Sequence, residues 1–286
     1  MIGRTAGTVI AVTLFAAAAG PINHEAARLA LRSLSDGTLS TLVAWHRGQP
    51  GVEWSTVPIS GPGEASALTL VLARLDPHRV SFHLIWDMEN DRPAWSVGRA
   101  PTGAALAVNA GMFVEQLPWG WVVLNGRERL TPGIGPLSSA LVGLADGSLA
   151  WVDGDDVTAW RGRTDVRFAF QSYPTLLAGD GEVPRALREG TINTTHRDAR
   201  LALGLDRDGR LLIALTRFDV AIPGADRLPF GLTVPEMAAV MGSLGARQAM
   251  LLDGGISAQL AIADSAGTTK EWRGLRKVPL ALVATP

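Results

Sequence analysis

The stretch TVPEMAAVMGSLGARQAMLLDGG, residues 233–255, contains a helix, a stop and a strand in succession. Thr233 and Glu236 form a T-x-x-E capping box, Pro235 suits a first turn, and Gly245 can end the helix. The apolar run that follows has strand character and stops at Asp253, Gly254 and Gly255. Working outward from it, three pairs of apolar segments read as hairpins: WGWVVLNGRERL turns at Asn125-Gly126, SALVGLADGSLAWVDG at Asp146-Gly147, and ARLALGLDRDGRLLIALTRF at Asp208-Gly209. TLVAWH, ALTLVLARL and VSFHLIWDM, between Thr41 and Asp87, are strand-like, and NHEAARLALRSLSDG has helical spacing. Many hairpins and few helices predict an α+β fold: a twisted mixed, largely antiparallel sheet with packed helices, in a single domain over residues 21–286.

At 286 residues and 47% hydrophobic content, the chain is long enough for one large core. A net charge of −1 gives no general attraction to nucleic acid or to anionic membranes, so neither is expected as a partner. Cysteine is absent, which excludes disulfides, thiol nucleophiles and thiolate metal sites. Lysine occurs only at 270 and 277, which leaves arginine to pair with carboxylate or phosphate groups. Residues 1–20, MIGRTAGTVIAVTLFAAAAG, carry one early cation, Arg4, then an apolar stretch from Thr8 to Ala19 and small residues suited to cleavage. This is the pattern of an export signal; a retained N-terminal anchor is the competing reading.

Four stretches place polar residues at strand ends. Asp253 follows an apolar strand, and an acid there has to be paired or solvated, or serve simply to cap a turn. Gly254 and Gly255 allow close backbone approach and offer N–H groups to an anion. In AVNAGMF, residues 107–113, Asn109 ends a strand with an amide that can donate and accept. FAFQSYPTLL, residues 168–177, presents Gln171 and Ser172 in the same way. THRDARLALG, residues 195–204, brings His196 close to Arg200, whose planar guanidinium can grip an oxyanion at two points or form an ordinary ion pair. Trp119 and Trp121, just past the Asn109 loop, are candidates to stack on a sugar.

VNAGMF, WGWVVLNG, QSYPTLL, DARLALGLDRDGRLLIAL and AMLLDGGISAQL, in that order from about Ala105 to Leu260, resemble the blocks of the phosphodiester glycosidase family. The resemblance implies a hydrolase that cleaves the bond between a sugar's anomeric carbon and a phosphodiester. It places Asn109, Arg200, Asp253, Gly254, Gly255 and Ser257 on motif positions, with Gln171 and Ser172 on another. Tyr173, Ile256 and Ala258 depart from the family pattern.

Together these readings give a catalytic set of Asp253, Arg200 and Asn109. Gly254, Gly255, Ser257, Gln171, Ser172, His196 and Trp119 would contact substrate, and Glu115 is the candidate second acid. The expected substrate is a sugar phosphate or polysaccharide, such as an exopolysaccharide or cell-envelope glycan. A non-catalytic carbohydrate-binding protein and a glycosidase for neutral sugars remain open alternatives. No cofactor is expected and no metal: LDRDGR opens like a calcium loop, but the twelfth position from Asp206 is Arg217, where a bidentate Glu is required. If the N-terminus is an export signal, protein from its native host lacks about the first 20 residues. N-terminal sequencing that finds a chain beginning near Met1 sinks that expectation.

Overall fold

The apolar runs pair into three large antiparallel sheets, beside which the described residues form two two-stranded ones. The computed structural model describes residue 39 and residues 43–59, 68–135, 137–179, 181–189, 192–218 and 230–286. The export-signal segment and the helix expected at residues 23–37 lie outside these residues.

The first sheet runs in the order His46–Arg47, Val52–Ile59, Leu68–Leu75, Leu211–Phe218, Leu201–Asp206, Ala246–Leu252, Thr175–Leu177. The second runs Arg127–Leu130, Val122–Leu124, Val166–Ser172, Ser139–Leu144, Leu149–Asp153. The third runs Thr269–Trp272, Leu260–Ala263, Leu106–Asn109, Leu280–Thr285, Ser81–Trp86. All three expected hairpins are present, each an antiparallel pair about its Asn-Gly or Asp-Gly turn.

Period-two alternation explains why the central strands of the first sheet read as unbroken apolar runs. Leu201, Leu203, Leu205, Met250 and Leu252 face a core shared with Leu106 and Leu282 of the third sheet and Val122 and Phe170 of the second. Ala202, Ala249 and Leu251 point the other way, against Met237, Val240, Met241 and Leu244. Polar side chains enter these strands only toward their ends, as at Arg247, Gln248, Thr216 and Arg217.

The helix Val234–Ser243 forms as its sequence dictates. The Thr233 hydroxyl accepts from the Glu236 N–H, and the Glu236 carboxylate accepts from the Thr233 N–H at 2.8 Å. Glu236 also takes a two-pronged ion pair from Arg197, at 2.7 and 2.8 Å.

Two fold expectations need correction. The sheets are not mixed: every ladder among the described residues is antiparallel. Packed helices were also overstated, since Val157–Trp160 and Arg185–Arg188 are single turns and Val234–Ser243 is the one longer α-helix among those residues. Val52–Ile59 is a strand beyond those expected from the sequence, and it contains Pro58, a residue that sheet interiors disfavour. The structure tolerates it because the outer neighbour, His46–Arg47, reaches only Trp54 and Glu53, so Pro58 has no ladder partner on that side.

The capping box makes one expectation direct. Thr233→Ala should lower unfolding free energy by about 1 kcal/mol, read as a lower urea midpoint at unchanged slope.

Candidate functional site

Three of the segments that carry the chain between sheets are tied together at one corner. Residues 253–259 lead from Ala246–Leu252 in the first sheet to Leu260–Ala263 in the third. Residues 173–174 lead from the second sheet to the first, and residues 110–121 from the third to the second. The Asp253 N–H donates to the Gly111 carbonyl at 2.9 Å, and the Leu251 N–H to the Pro174 carbonyl at 3.0 Å.

Antiparallel register brings a fourth segment to the same place. Leu201 pairs with Leu252, so the residues just before the one lie beside those just after the other. The Gly255 N–H donates to the Ala199 carbonyl at 2.7 Å, and a Cβ on Gly254 would lie 2.4 Å from that oxygen. Gly255 has φ +54°, and a Cβ there would stand 3.0 Å from Oδ2 of Asp198. The glycines therefore let residues 198–200 close on the Asp253 loop, with the Asp198 carboxylate over Gly255.

Asp198, beside Gly255, and Asp253, two residues before that glycine, are thereby brought to one corner. Burial pushes the Asp253 carboxyl above its ordinary range; a hydrogen bond from the Ser257 side chain and the charge of Arg276 partly oppose this, while the charge of Asp198 adds to it. Burial also raises Asp198, against the charge of Arg200, the Ala199 N–H and the charge of His196. Burial is the main cause at both acids, and each carboxyl is thereby held above its ordinary range.

Asp253 thus sits in a polar corner as expected, and Asp198 is the acid that sequence reasoning missed. It stands in the DARLALG block, at the start of a strand, the placement that singled out the other candidates. Glu115, the expected second acid, is exposed; its main-chain carbonyl accepts from Arg276 Nη2 at 2.9 Å.

Several assignments change once partners are known. The Asn109 side chain is fully buried, donates to the Asp253 carbonyl at 2.9 Å and accepts from the Gln259 N–H at 2.9 Å. It positions the loop rather than offering a free amide to substrate. Gln171 is buried and makes four hydrogen bonds, accepting from the N–H groups of Trp121 and Gly133 and donating to the Gly133 carbonyl and Ser138 Oγ. Ser172, also buried, donates to the Leu251 carbonyl at 2.6 Å. Both side chains are spent inside the protein, Gln171 on the loop residues Trp121, Gly133 and Ser138 and Ser172 on the strand residue Leu251, so neither offers a free group to substrate. Ser257 is buried against Asp253, and its hydroxyl serves that carboxylate. The Gly255 amide is engaged by Ala199, so it does not face an anion.

Arg200 donates from Nε to the Leu232 carbonyl at 2.8 Å and from Nη2 to the His196 carbonyl at 2.6 Å. The Nε–Nη2 edge of its guanidinium is therefore spent on main-chain carbonyls, and its charge acts on Asp198. The expected two-pronged grip on phosphate is not the geometry found. His196 is exposed beside this pair. Trp119 stays partly exposed, in edge contact with Tyr173 at 4.8 Å between ring centres. Trp121, by contrast, is buried and donates from Nε1 to Glu128 at 3.0 Å. Arg276 is exposed and makes no ion pair among the described residues, yet its charge reaches Asp253. Among the described residues no group of three or more His, Asp or Glu is placed to hold a metal ion.

Residues 102–285, which include every segment of this corner, match the family described as phosphodiester glycosidase. The chain belongs to that family. No curated protein matches the sequence. Among solved structures, the catalytic domain of zebrafish N-acetylglucosamine-1-phosphodiester alpha-N-acetylglucosaminidase, auto-inhibited by its pro-peptide, aligns with a TM-score of 0.62 at 16% identity. The alignment covers 85% of this chain and 87% of that one. A hypothetical protein from Synechocystis aligns with a TM-score of 0.52 at 17% identity, over 82% of this chain and 62% of that one. At such identities the likeness is one of fold, and the family match is what makes the chain a member of a family of hydrolases.

The raised carboxyls set a sign for stability. A group whose folded pKa exceeds its unfolded one contributes stability that is complete below the unfolded value, about 3.9, and is lost as pH rises through the folded value. Asp253→Asn removes the buried charge and can still accept from Ser257. Its melting temperature should exceed that of the unsubstituted protein at about pH 7 and converge with it near pH 3.5. A difference that does not change with pH would contradict the assignment of a buried ionisable group.

Proposed function

We propose that the protein is an exported hydrolase that cleaves sugar-1-phosphodiesters at the anomeric carbon–oxygen bond. Family membership supports the reaction class, and the Asp253–Asp198 pair is the observation that carries the site. The N-terminal pattern of Arg4 followed by an apolar run supports export, and no helix of the described residues is long and apolar enough to cross a membrane.

The chemistry suits a corner with two acids and an exposed arginine. In ordinary glycoside hydrolysis one acid protonates the leaving oxygen and a second carboxylate acts at the other face of the sugar. A departing phosphomonoester has a second pKa of about 6 and leaves as a stable anion, so the leaving group does not need that proton. Both carboxylates are then free for the sugar side. In this reading Asp253, held by Ser257, stabilises the positive charge that develops at the anomeric carbon. Asp198 accepts the proton of the attacking water. The anomeric C–O bond breaks with its electron pair going to the phosphate, the water oxygen bonds to carbon, and the proton passes through Asp198 to solvent.

Arg276, and not Arg200, is the phosphate ligand in this scheme. It is exposed, free of a carboxylate partner among the described residues and near Asp253, whereas Arg200 braces the Asp198 segment. His196 lies at the outer edge of the acid pair, and Trp119 is placed to lie against a sugar face.

The decisive experiment is turnover of a panel of sugar-1-phosphodiesters beside matched neutral aryl glycosides. Hydrolysis of the first set alone supports this reading. Hydrolysis of both makes the protein a general glycosidase, and binding without turnover makes it a carbohydrate-binding protein. Within an active panel, Asp253→Asn should lower turnover about 10²-fold or more. Asp198→Asn removes the negative charge that helps raise Asp253, so the acid limb of kcat/KM in the residual activity should move to lower pH. An unmoved limb would mean that the two acids do not act together.

A further inference from the structure

Large apolar side chains are exposed at six positions among the described residues: Val114, Leu117, Ile134, Tyr173, Ile256 and Leu275. Their exposure runs from 37% for Tyr173 to complete for Ile134. Single apolar residues are ordinary on any protein surface, and one of them alone would mean nothing. Their placement is what matters: Val114, Leu117, Tyr173 and Ile256 lie on the segments joined at the Asp253 corner, and Leu275 and Ile134 on loops that touch those segments.

Ile256 belongs to the loop that begins at Asp253. The Leu275 N–H donates to the Ile256 carbonyl at 2.8 Å, which sets the two residues side by side. Val114 and Leu117 flank the turn at Glu115, whose carbonyl is held by Arg276. Tyr173 meets Trp119 edge to face. Ile134 lies between Gly133 and Gly135, and the Trp119 ring packs over both, close enough that a Cβ on Gly133 would come within 2.6 Å of it. The most exposed large apolar side chains among the described residues are these six.

This rim also has a charge. Arg276, the phosphate ligand of the proposed reaction, lies between Leu275 and the Val114–Leu117 hairpin. A phosphate held there has the sugar toward Asp253 on one side. Its other ester oxygen points outward over Leu275, Ile256, Val114 and Leu117. A polar alcohol at that oxygen would leave these side chains in water, whereas a long hydrocarbon would cover them at about 25 cal/mol per Å².

We infer that the alcohol half of the substrate is a long-chain lipid alcohol, so that the enzyme works on sugar-1-phosphate esters of lipids, with the apolar rim against the hydrocarbon and Arg276 on the phosphate. This rests on the proposed phosphodiester glycosidase activity. It also revises the sequence expectation of no membrane partner, since such substrates reside in bilayers.

Two measurements on the full chain test it. The first compares kcat/KM for the dodecyl and methyl esters of one sugar 1-phosphate. The dodecyl ester should be favoured by about tenfold or more, and Leu275→Ser and Leu117→Ser, on opposite sides of Arg276, should each bring the ratio toward one. A ratio near one in the unsubstituted protein, or one that both substitutions leave intact, overturns the inference.

The second measurement is independent of turnover: calorimetric binding of dodecyl phosphate against methyl phosphate. If neither ester is hydrolysed but dodecyl phosphate binds at least tenfold more tightly, and the two substitutions abolish the difference, the activity reading fails while the lipid-chain site stands. Equal binding of the two phosphates rejects the lipid site whatever the activity. Vesicles of phosphatidylglycerol separate membrane from monomer: cosedimentation lost in both variants places the site at a bilayer, and binding of dodecyl phosphate without cosedimentation confines it to single lipid molecules.

Discussion

One buried amide holds the corner on which the chemistry depends. Asn109 grips the carbonyl of Asp253 with its N–H and the N–H of Gln259 with its oxygen, and so fixes both ends of the loop that carries the chain from one sheet to another. That loop cannot satisfy its main-chain groups with a ladder, because it lies between ladders, and a buried unpaired peptide group is costly. A side chain from the third sheet supplies the missing partners. Gln171 does the same for Trp121 and Gly133, and Ser172 for Leu251. The sheets are thus joined by polar side chains bonded to main chain, around a core that is otherwise apolar.

The electrostatics of the acid pair follow from this rigidity. Loops able to relax would let water in and restore both carboxyls to their ordinary range. Here Gly254 sits so near the Ala199 carbonyl that any side chain would collide with it, and Gly255 leaves only the space that the Asp198 carboxylate overlooks. Arg200, anchored on the carbonyls of Leu232 and His196, keeps the 198–200 segment in place while its charge tempers Asp198. Burial raises both acids, and the nearby cations keep the shifts in check.

Local rules were enough to read the hairpins at Asn125-Gly126, Asp146-Gly147 and Asp208-Gly209 and the capped helix feeding the Asp253 strand, since each is decided by neighbours in sequence. The polar residues at strand ends were also correctly noticed as special. Their purpose could not be read, because a strand end facing another sheet and one facing a ligand look alike in one dimension. Asn109 and Ser172 face main chain that runs between sheets, and Gln171 faces loops; Asp253 and Asp198 meet at one corner. What joins that last pair is the pairing of Leu201 with Leu252, a contact between distant segments that no spacing in the chain records. Glu115 was an appealing partner only because it is near Asn109 in sequence, and Arg200 looked free because carbonyls that bind a guanidinium leave no mark on composition.

The third sheet has an order of assembly built into it. Its strand Leu280–Thr285 lies between Leu106–Asn109 and Ser81–Trp86, although both of those precede it by a long stretch of chain. Until residue 285 has emerged from the ribosome, Leu106–Asn109 and Ser81–Trp86 each have an open edge, and the Asn109 clasp has only one of its neighbours in place. Open strand edges are what chaperones bind and what aggregates grow from. The third sheet is therefore completed by contacts between segments far apart in the chain, and the corner at Asn109 is complete only when that sheet is.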